Sequence, residues 1–148
     1  MIAIATRAGL GNQRGGWKDM SSPTCPFCCP ADDRIVRPFD AVLVLRDGFP
    51  ISPGHTLIVP RRHVASFFAL EAGEQAAMLE ALNWARDKLH RVHRPDAFNV
   101  GLNDGPAAGQ TVPHCHLHLI PRYAGDVAEP RGGVRWVIPG KAKYWGEE

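Results

Sequence analysis

Three histidines alternate with other residues late in the chain, in the run His114-Cys115-His116-Leu117-His118. In a β-strand, side chains point alternately to the two faces, so the three imidazoles would share one face while Cys115 and Leu117 share the other. Three imidazoles are poorly suited to core packing, because each buried ring nitrogen needs a hydrogen-bond partner. The run therefore predicts a polar face with a chemical role.

Two kinds of chemistry fit such a face. Alternate histidines can bind one zinc or iron ion through ring nitrogens, as in many metal-dependent hydrolases and oxygenases. A neutral imidazole can instead attack phosphorus, if a neighbouring polar group fixes its tautomer so that the attacking nitrogen carries the lone pair.

The segment before the run favours phosphorus chemistry. Residues 103–112 form a turn rich in small residues, where backbone N–H groups can approach an anion, and Gln110 and Thr111 add side-chain donors. Such donors would stabilise charge on the oxygens of a reacting phosphate. A plain hairpin loop is the alternative interpretation of this segment.

The remaining sequence predicts the elements that position the site. Apolar runs at 39–46 and 56–59, separated by a turn rich in proline and glycine, indicate two strands. Apolar residues recur at spacings of three and four from Glu74 to Val92 and predict a helix that Pro95 ends. Further strands are predicted at 98–102, at 112–120 with Pro121 as its stop, and at 134–138. Together these elements predict an α+β fold in which the main helix packs on one face of an antiparallel sheet.

Length and composition indicate one catalytic domain at 23–148, preceded by a flexible glycine-rich arm at 1–22. Lys and Arg total 17 against 15 for Asp and Glu, so charge gives no reason to expect binding to nucleic acid or to a membrane surface. No apolar run approaches the roughly 18 residues of a spanning helix, and the opening apolar stretch is too short for a signal peptide. We therefore expect a cytoplasmic protein.

The cysteines indicate a second kind of site. Without a secretion signal they are better interpreted as thiols or metal ligands than as disulfides. Cys25 and Cys28 have the spacing of half a zinc site, and two histidines would complete a tetrahedral shell, with His63 and His114 as candidates. Reduced buried thiols are the alternative. Cys115 is expected in the core, because it alternates with the histidines.

Two segments carry a specific combination of motifs. They are Gly105-Pro106 with Gly109-Gln110-Thr111-Val112 and the histidine run that closes at Ile120, and, upstream, Ser52-Pro53-Gly54-His55 continuing to His63. This combination resembles the histidine triad family, the upstream segment being similar to the family's Pro-Gly-His strand. The resemblance extends roughly from Cys25 to Tyr144.

The resemblance implies a set of site residues. His116 would form a covalent nucleotidyl intermediate, His118 would contact the scissile phosphate region, and His55 would lie beside them. The implied nucleotide-binding residues are Asn103, Gly109, Gln110 and Thr111 at the phosphate and Asp47, eight residues before His55, at the ribose hydroxyls. For Asp47, an ordinary turn residue is the alternative.

The resemblance also implies a cofactor and a partner. The uridylyltransferase branch and some bacterial members hold a structural zinc with a Cys-x-x-Cys pair and two histidines, which correspond here to Cys25, Cys28, His63 and His114. His114 is thus expected both among the catalytic histidines of the run and as a zinc ligand, where the zinc would stiffen the strand that presents His116. Members are commonly homodimers.

The loop sequence resembles the branch that acts on dinucleoside polyphosphates, so diadenosine polyphosphates are the expected substrate. Asn103 departs from the glutamine typical of that branch in animals, which weakens a direct transfer of its substrate. A nucleoside phosphoramidase or phosphorylase is the alternative within the family. From other classes, the alternatives are a metal-dependent hydrolase that uses the three histidines as ligands and a noncatalytic nucleotide-binding or zinc-stabilised module.

Overall fold

Five antiparallel strands form one sheet in the computed structural model, which describes residues 24–146. The strands are β1 (Ile35–Pro38), β2 (Val42–Arg46), β3 (Thr56–Pro60), β4 (Ala97–Leu102) and β5 (Leu117–Arg122), and their order in the sheet is β1-β2-β3-β5-β4. One long helix, α1 (Ala72–His93), packs on the sheet. The predicted α+β fold class is confirmed, whereas the predicted arm at 1–22 lies outside the described residues.

Helix α1 begins two residues before the predicted start because of its cap. The side chain of Glu71 accepts from the third backbone N–H of the helix, and Glu74 accepts in return from the backbone N–H of Glu71. The helix ends where Arg94 adopts a left-handed conformation, with φ of 50°, immediately before Pro95. Its buried stripe consists of Met78, Ala81, Ala85 and Leu89.

The two faces of the sheet carry different cores. The face toward α1 buries Val42, Val44, Ile58, Cys115, Leu117 and Leu119. The opposite face buries Leu43, Leu45, Leu57 and Val59 together with Cys25, Phe27 and Cys28. Strands β2 and β3 are therefore apolar on both faces, and the segment at 25–28 covers the face opposite α1.

Strand β5 is displaced from its predicted bounds. It begins at Leu117, so His114 and His116 precede it, although Cys115, Leu117 and Leu119 still pack together on the α1 face. It also continues past Pro121. Strand β3 pairs with β5 only from Leu117 to Leu119, so the missing N–H of Pro121 removes no hydrogen bond between β5 and β3.

Strand β1 was not predicted, and the strand predicted at 134–138 is wrong. The C-terminal segment forms 3-10 turns at Gly133–Val137 and Pro139–Lys141. Gly132 and Gly133 have φ of 88° and 45°, which starts a turn instead of an extended strand.

Within residues 24–146, we find no helix with the length and apolar character needed to cross a bilayer.

Candidate active site and metal centre

A cluster of two cysteines and two histidines lies where three distant segments meet. Cys25 and Cys28 precede β1, His63 follows β3 and His114 precedes β5. Their four ligand atoms all lie within 4.8 Å of one another. The Nδ1 atoms of His63 and His114 are 3.2 Å apart, and the Sγ–Nδ1 distances are 3.2 Å for Cys28–His63, 3.4 Å for Cys25–His114 and 3.6 Å for Cys28–His114.

These distances fit the edges of a tetrahedron around zinc. With Zn–N of about 2.05 Å and Zn–S of about 2.3 Å, a regular tetrahedron has N–N edges of about 3.3 Å and N–S edges of about 3.6 Å. Nε2 of His114 is 2.8 Å from the carbonyl oxygen of Pro60, which can only accept, so the ring proton is on Nε2 and the lone pair is on Nδ1, the atom that faces the cluster. The donor set therefore suits zinc.

The main chain at His114 fixes the orientation of the His116 ring. Its Nδ1 lies 2.7 Å from the carbonyl oxygen of His114, so Nδ1 donates and Nε2 carries the lone pair. The ring packs on Phe27, with a centroid distance of 4.9 Å, and the residue is only 8% exposed. A neutral imidazole with this tautomer can act as a nucleophile through Nε2.

His118 and His55 form a pair beside His116. Nδ1 of His118 lies 3.0 Å from Nε2 of His55, and the rings of His116 and His118 are 5.1 Å apart. The backbone N–H of Ile51 donates to Nδ1 of His55 over 3.4 Å, which leaves the proton of neutral His55 on Nε2. That proton points to His118, whose own proton is then on its Nε2.

Electrostatics keep this pair neutral. Burial, with smaller contributions from the neighbouring His116 and His55, lowers the pKa of His118 to about 4 against the opposing effect of Asp47. Burial also lowers the pKa of His55, again against the effect of Asp47. Oδ2 of Asp47 lies 3.4 Å from Nε2 of His55 and 3.8 Å from Nδ1 of His118. Near pH 7 both rings therefore act as neutral hydrogen-bonding groups.

The three histidines of the run do not converge on one point. His114 belongs to the cysteine cluster, His118 pairs with His55, and His116 bonds to a carbonyl. Among residues 24–146, the groups suited to a metal are the cysteine cluster and the trio Asp47, His55 and His118, and neither contains His116. The geometry therefore gives no support to a site in which all three histidines bind one metal.

The loop before the run is held mostly by its own hydrogen bonds. The backbone N–H groups of Gly109 and Gln110 donate to Pro106 and Gly105, and the Gln110 amide bonds to Gly105 N and Ala65 O, each over 2.8 Å. Thr111 is exposed and Asn103 is half-buried. The phosphate-binding roles of Asn103, Gly109, Gln110 and Thr111 stay predictions.

Sequence reasoning missed two supporting residues. Oδ2 of Asp104 accepts from Ser66 Oγ at 2.9 Å and from Phe67 N at 2.8 Å, which anchors the loop to the segment after β3. Phe27 contacts His114 and His116 from between the two cysteines. The apolar residue inside the Cys-x-x-Cys pair was the available signal for Phe27, whereas nothing local marked Asp104.

Comparison with known proteins identifies the family of this chain. Residues 30–125, more than half of the chain, match the family model described as "HIT domain". The chain belongs to the HIT family. This HIT protein is 40% identical over 77 residues to a bifunctional bis(5'-adenosyl)-triphosphatase/adenylylsulfatase FHIT of Arabidopsis thaliana, covering 52% of this chain and 43% of that protein.

Two further relatives are informative. An AP-4-A phosphorylase of Mycobacterium tuberculosis is 39% identical over 112 residues, covering 72% of this chain and 57% of that protein. A Zn-bound histidine triad family protein of Mycobacterium smegmatis superposes with a TM-score of 0.64 at 30% identity, covering 72% of this chain and 80% of that one. Our HIT protein thus spans less than half of the Arabidopsis relative and somewhat over half of the phosphorylase.

Proposed function

We propose that this HIT protein is a nucleotidyl hydrolase or transferase in which His116 attacks the α-phosphorus of a nucleotide derivative. The observation that carries the proposal is the 2.7 Å hydrogen bond from Nδ1 of His116 to the main-chain carbonyl of His114. It leaves the Nε2 lone pair as the nucleophile without any need to remove a proton first.

The reaction has two displacements. In the first, a bond forms between Nε2 of His116 and the α-phosphorus as the bond to the leaving group breaks, and the leaving group departs with the electron pair. In the second, water or phosphate attacks the same phosphorus, and the N–P bond breaks to return the neutral imidazole. No oxidant or reductant is needed.

The neighbouring pair supplies a positioned donor. Because Ile51 N–H donates to His55 and His55 donates to His118, the remaining proton of His118 on Nε2 is free to bond the phosphate or the leaving-group oxygen. Asp47 is proposed to bind the ribose hydroxyls. One of its oxygens already accepts from Phe49 N–H at 2.7 Å, but a carboxylate has about four lone-pair sites and retains capacity for hydroxyls.

Diadenosine polyphosphates are the proposed substrates. The support is the similarity to a bis(5'-adenosyl)-triphosphatase and to an AP-4-A phosphorylase. The second relative makes phosphate a specific alternative to water as the final acceptor. Hydrolysis and phosphorolysis differ in their products, because water yields a nucleoside monophosphate and phosphate yields a diphosphate.

Zinc in the cysteine cluster is proposed to be structural. Cys25, Cys28, His63 and His114 would hold it in a closed four-ligand shell, and the ion would supply cross-linking of three chain segments with no open position for water. Its effect on the reaction would be indirect, through the segment that presents His116.

Homodimerisation is also proposed. Strand β4 is an edge of the sheet in the described residues, and its Val100 is 42% exposed, so a second copy could extend the sheet there. The cytoplasmic location stays a prediction.

The test combines His116→Gly with a matched control. We expect His116→Gly to lower turnover of diadenosine polyphosphates by about a thousandfold or more, to retain AMP binding, and to recover part of its activity with added imidazole. His90→Ala, an exposed histidine of α1, should behave as the wild type. Mass spectrometry of rapidly quenched wild type should show one added nucleotidyl group, and mass analysis of products with and without phosphate identifies the acceptor. Near-normal turnover in His116→Gly would show that the nucleophile is another group.

A further inference from the structure

A cavity lies on the opposite face of the sheet from His116, beside α1 and the connection from β2 to β3. Its volume is about 320 Å³. Val44, Trp84, Leu89 and Val92 give it an apolar wall, and the Gly54–His55 segment closes one side. Cavities of a few hundred cubic ångströms with an aromatic wall and a few polar groups are the usual form of small-molecule sites.

Two cations line this cavity without a carboxylate partner. Arg46 donates to the main-chain carbonyl of Asp33 at 2.6 Å, and Nζ of Lys88 lies 5.4 Å from the Trp84 ring. Within residues 24–146 neither cation forms an ion pair. Asp47 is the carboxylate in the lining, and its oxygens face His55, His118 and the N–H of Phe49. The lining therefore favours a ligand with a negative charge.

The cavity wall is also the back of the histidine pair. Gly54 has φ of 87°, and a Cβ added there would lie 2.9 Å from Leu89 and 3.0 Å from His93, so the backbone packs directly on α1. The next residue, His55, bonds to His118 on the other side. A ligand in the cavity, beside this contact, would touch the segment that sets the position of His55.

We propose that this cavity is a second ligand site, which takes a small amphipathic anion. The ligand has an aromatic body packed on Trp84 and Leu89 and a single carboxylate, sulfonate or phosphate group near Arg46 and Lys88. Its presence changes the environment of the His55–His118 pair. The binding itself does not depend on the reaction at His116.

The test uses two probes that differ in charge. They are 8-anilinonaphthalene-1-sulfonate and N-phenyl-1-naphthylamine, which is the same aromatic body without the sulfonate. We expect the sulfonate probe to shift the amide resonances of Arg46, Gly54 and Val92 in ¹H–¹⁵N spectra, and to shift the imidazole nitrogen resonances of His55 and His118. Its affinity should exceed that of the neutral probe by about tenfold.

Charge variants locate the anionic group. Lys88→Glu and Arg46→Glu should each weaken the sulfonate probe by about tenfold and leave the neutral probe within about twofold. Arg86→Glu is the matched control, because this exposed cation lies on the same helix and outside the cavity. Val92→Trp fills the mouth from a position that is 64% exposed, so it should preserve the fold and weaken both probes.

Three results would overturn the proposal. The first is absence of saturable binding of the sulfonate probe below about 1 mM. The second is binding of the sulfonate probe that none of the three cavity variants weakens, as would be seen if the probe bound to another apolar surface. The third is competitive displacement by AMP with resonance shifts at Leu45 and Leu57, which would place the probe on the His116 face of the sheet.

Discussion

Loss of zinc from the cysteine cluster should lower stability far more than turnover. The cluster joins residues 89 positions apart, Cys25 and His114. A cross-link that closes a loop of this length disfavours the unfolded chain by about 4–5 kcal/mol. A metal that binds only the folded chain, present at about a thousand times its Kd, likewise stabilises it by about 4 kcal/mol.

The corresponding shift in melting temperature is measurable. For a chain of this size about 1 kcal/mol corresponds to roughly 2–4 °C, so loss of zinc should lower Tm by about 10 °C. Turnover below the melting transition should fall only partly, because the bond that orients His116 goes to the main-chain carbonyl of His114 and does not involve the ring that would bind the metal.

Two adjacent cysteines provide the matched comparison. Cys28→Ser removes a ligand, whereas Cys29 lies next to it and outside the cluster, so Cys29→Ser should keep the metal. Calorimetry gives Tm, elemental analysis gives zinc per chain, and turnover is measured well below both melting points. Equal Tm for Cys28→Ser and Cys29→Ser would refute a structural zinc. Loss of all turnover on chelation at unchanged Tm would show that the metal takes part in the reaction.

Two further predictions concern the groups around His116. Because the pKa of His118 lies at about 4, below the ordinary 6.5, unfolding takes up a proton between these values, and the free energy of unfolding falls as pH drops through that window. Urea denaturation with zinc in excess measures this effect. Between pH 7 and pH 5 the free energy of unfolding should fall by on the order of 1 kcal/mol more in the wild type than in His118→Gln, after allowance for solvent screening. An equal fall in the two proteins would contradict the environment assigned to His118. Asp104→Ala removes two hydrogen bonds that anchor the loop, so its free energy of unfolding should fall by about 2 kcal/mol. We also expect its KM to rise by a larger factor than its kcat falls. The exposed control Asp87→Ala should leave stability, KM and kcat unchanged. Unchanged KM in Asp104→Ala would mean that the loop does not need this anchor.

Much of the fold was readable from the sequence, because the decisive patterns are local. The stripe of α1 follows from spacings of three and four, and the apolar runs of β2 and β3 are bounded by proline and glycine. Strand β1 was missed because its burial is partial, and its register with β2 shifts between Ile35 and Arg37. The C-terminal segment has strand-like composition, yet Val137 is 81% exposed, so apolar content there does not reflect a core.

The candidate site was predicted less completely than the fold. Ligand types and spacing identified the cysteine cluster, since a Cys-x-x-Cys pair has few structural alternatives. The tautomer of His116 could not be predicted, because it depends on a main-chain carbonyl, and every residue has one. The pairing of His55 with His118 joins residues 63 positions apart, and its geometry depends on the register between β3 and β5.

His114 makes two separate contributions with different atoms. Its ring belongs to the cysteine cluster, and its carbonyl oxygen accepts the hydrogen bond from His116. A change of side chain at this position removes the first contribution and leaves the second in place. The orientation of the His116 imidazole is thus inherited with the path of the backbone, and alignments of side chains do not record it. A redesigned variant could therefore exchange the whole cysteine cluster for apolar residues and keep His116 oriented, provided that the new core holds the backbone before β5 in the same place.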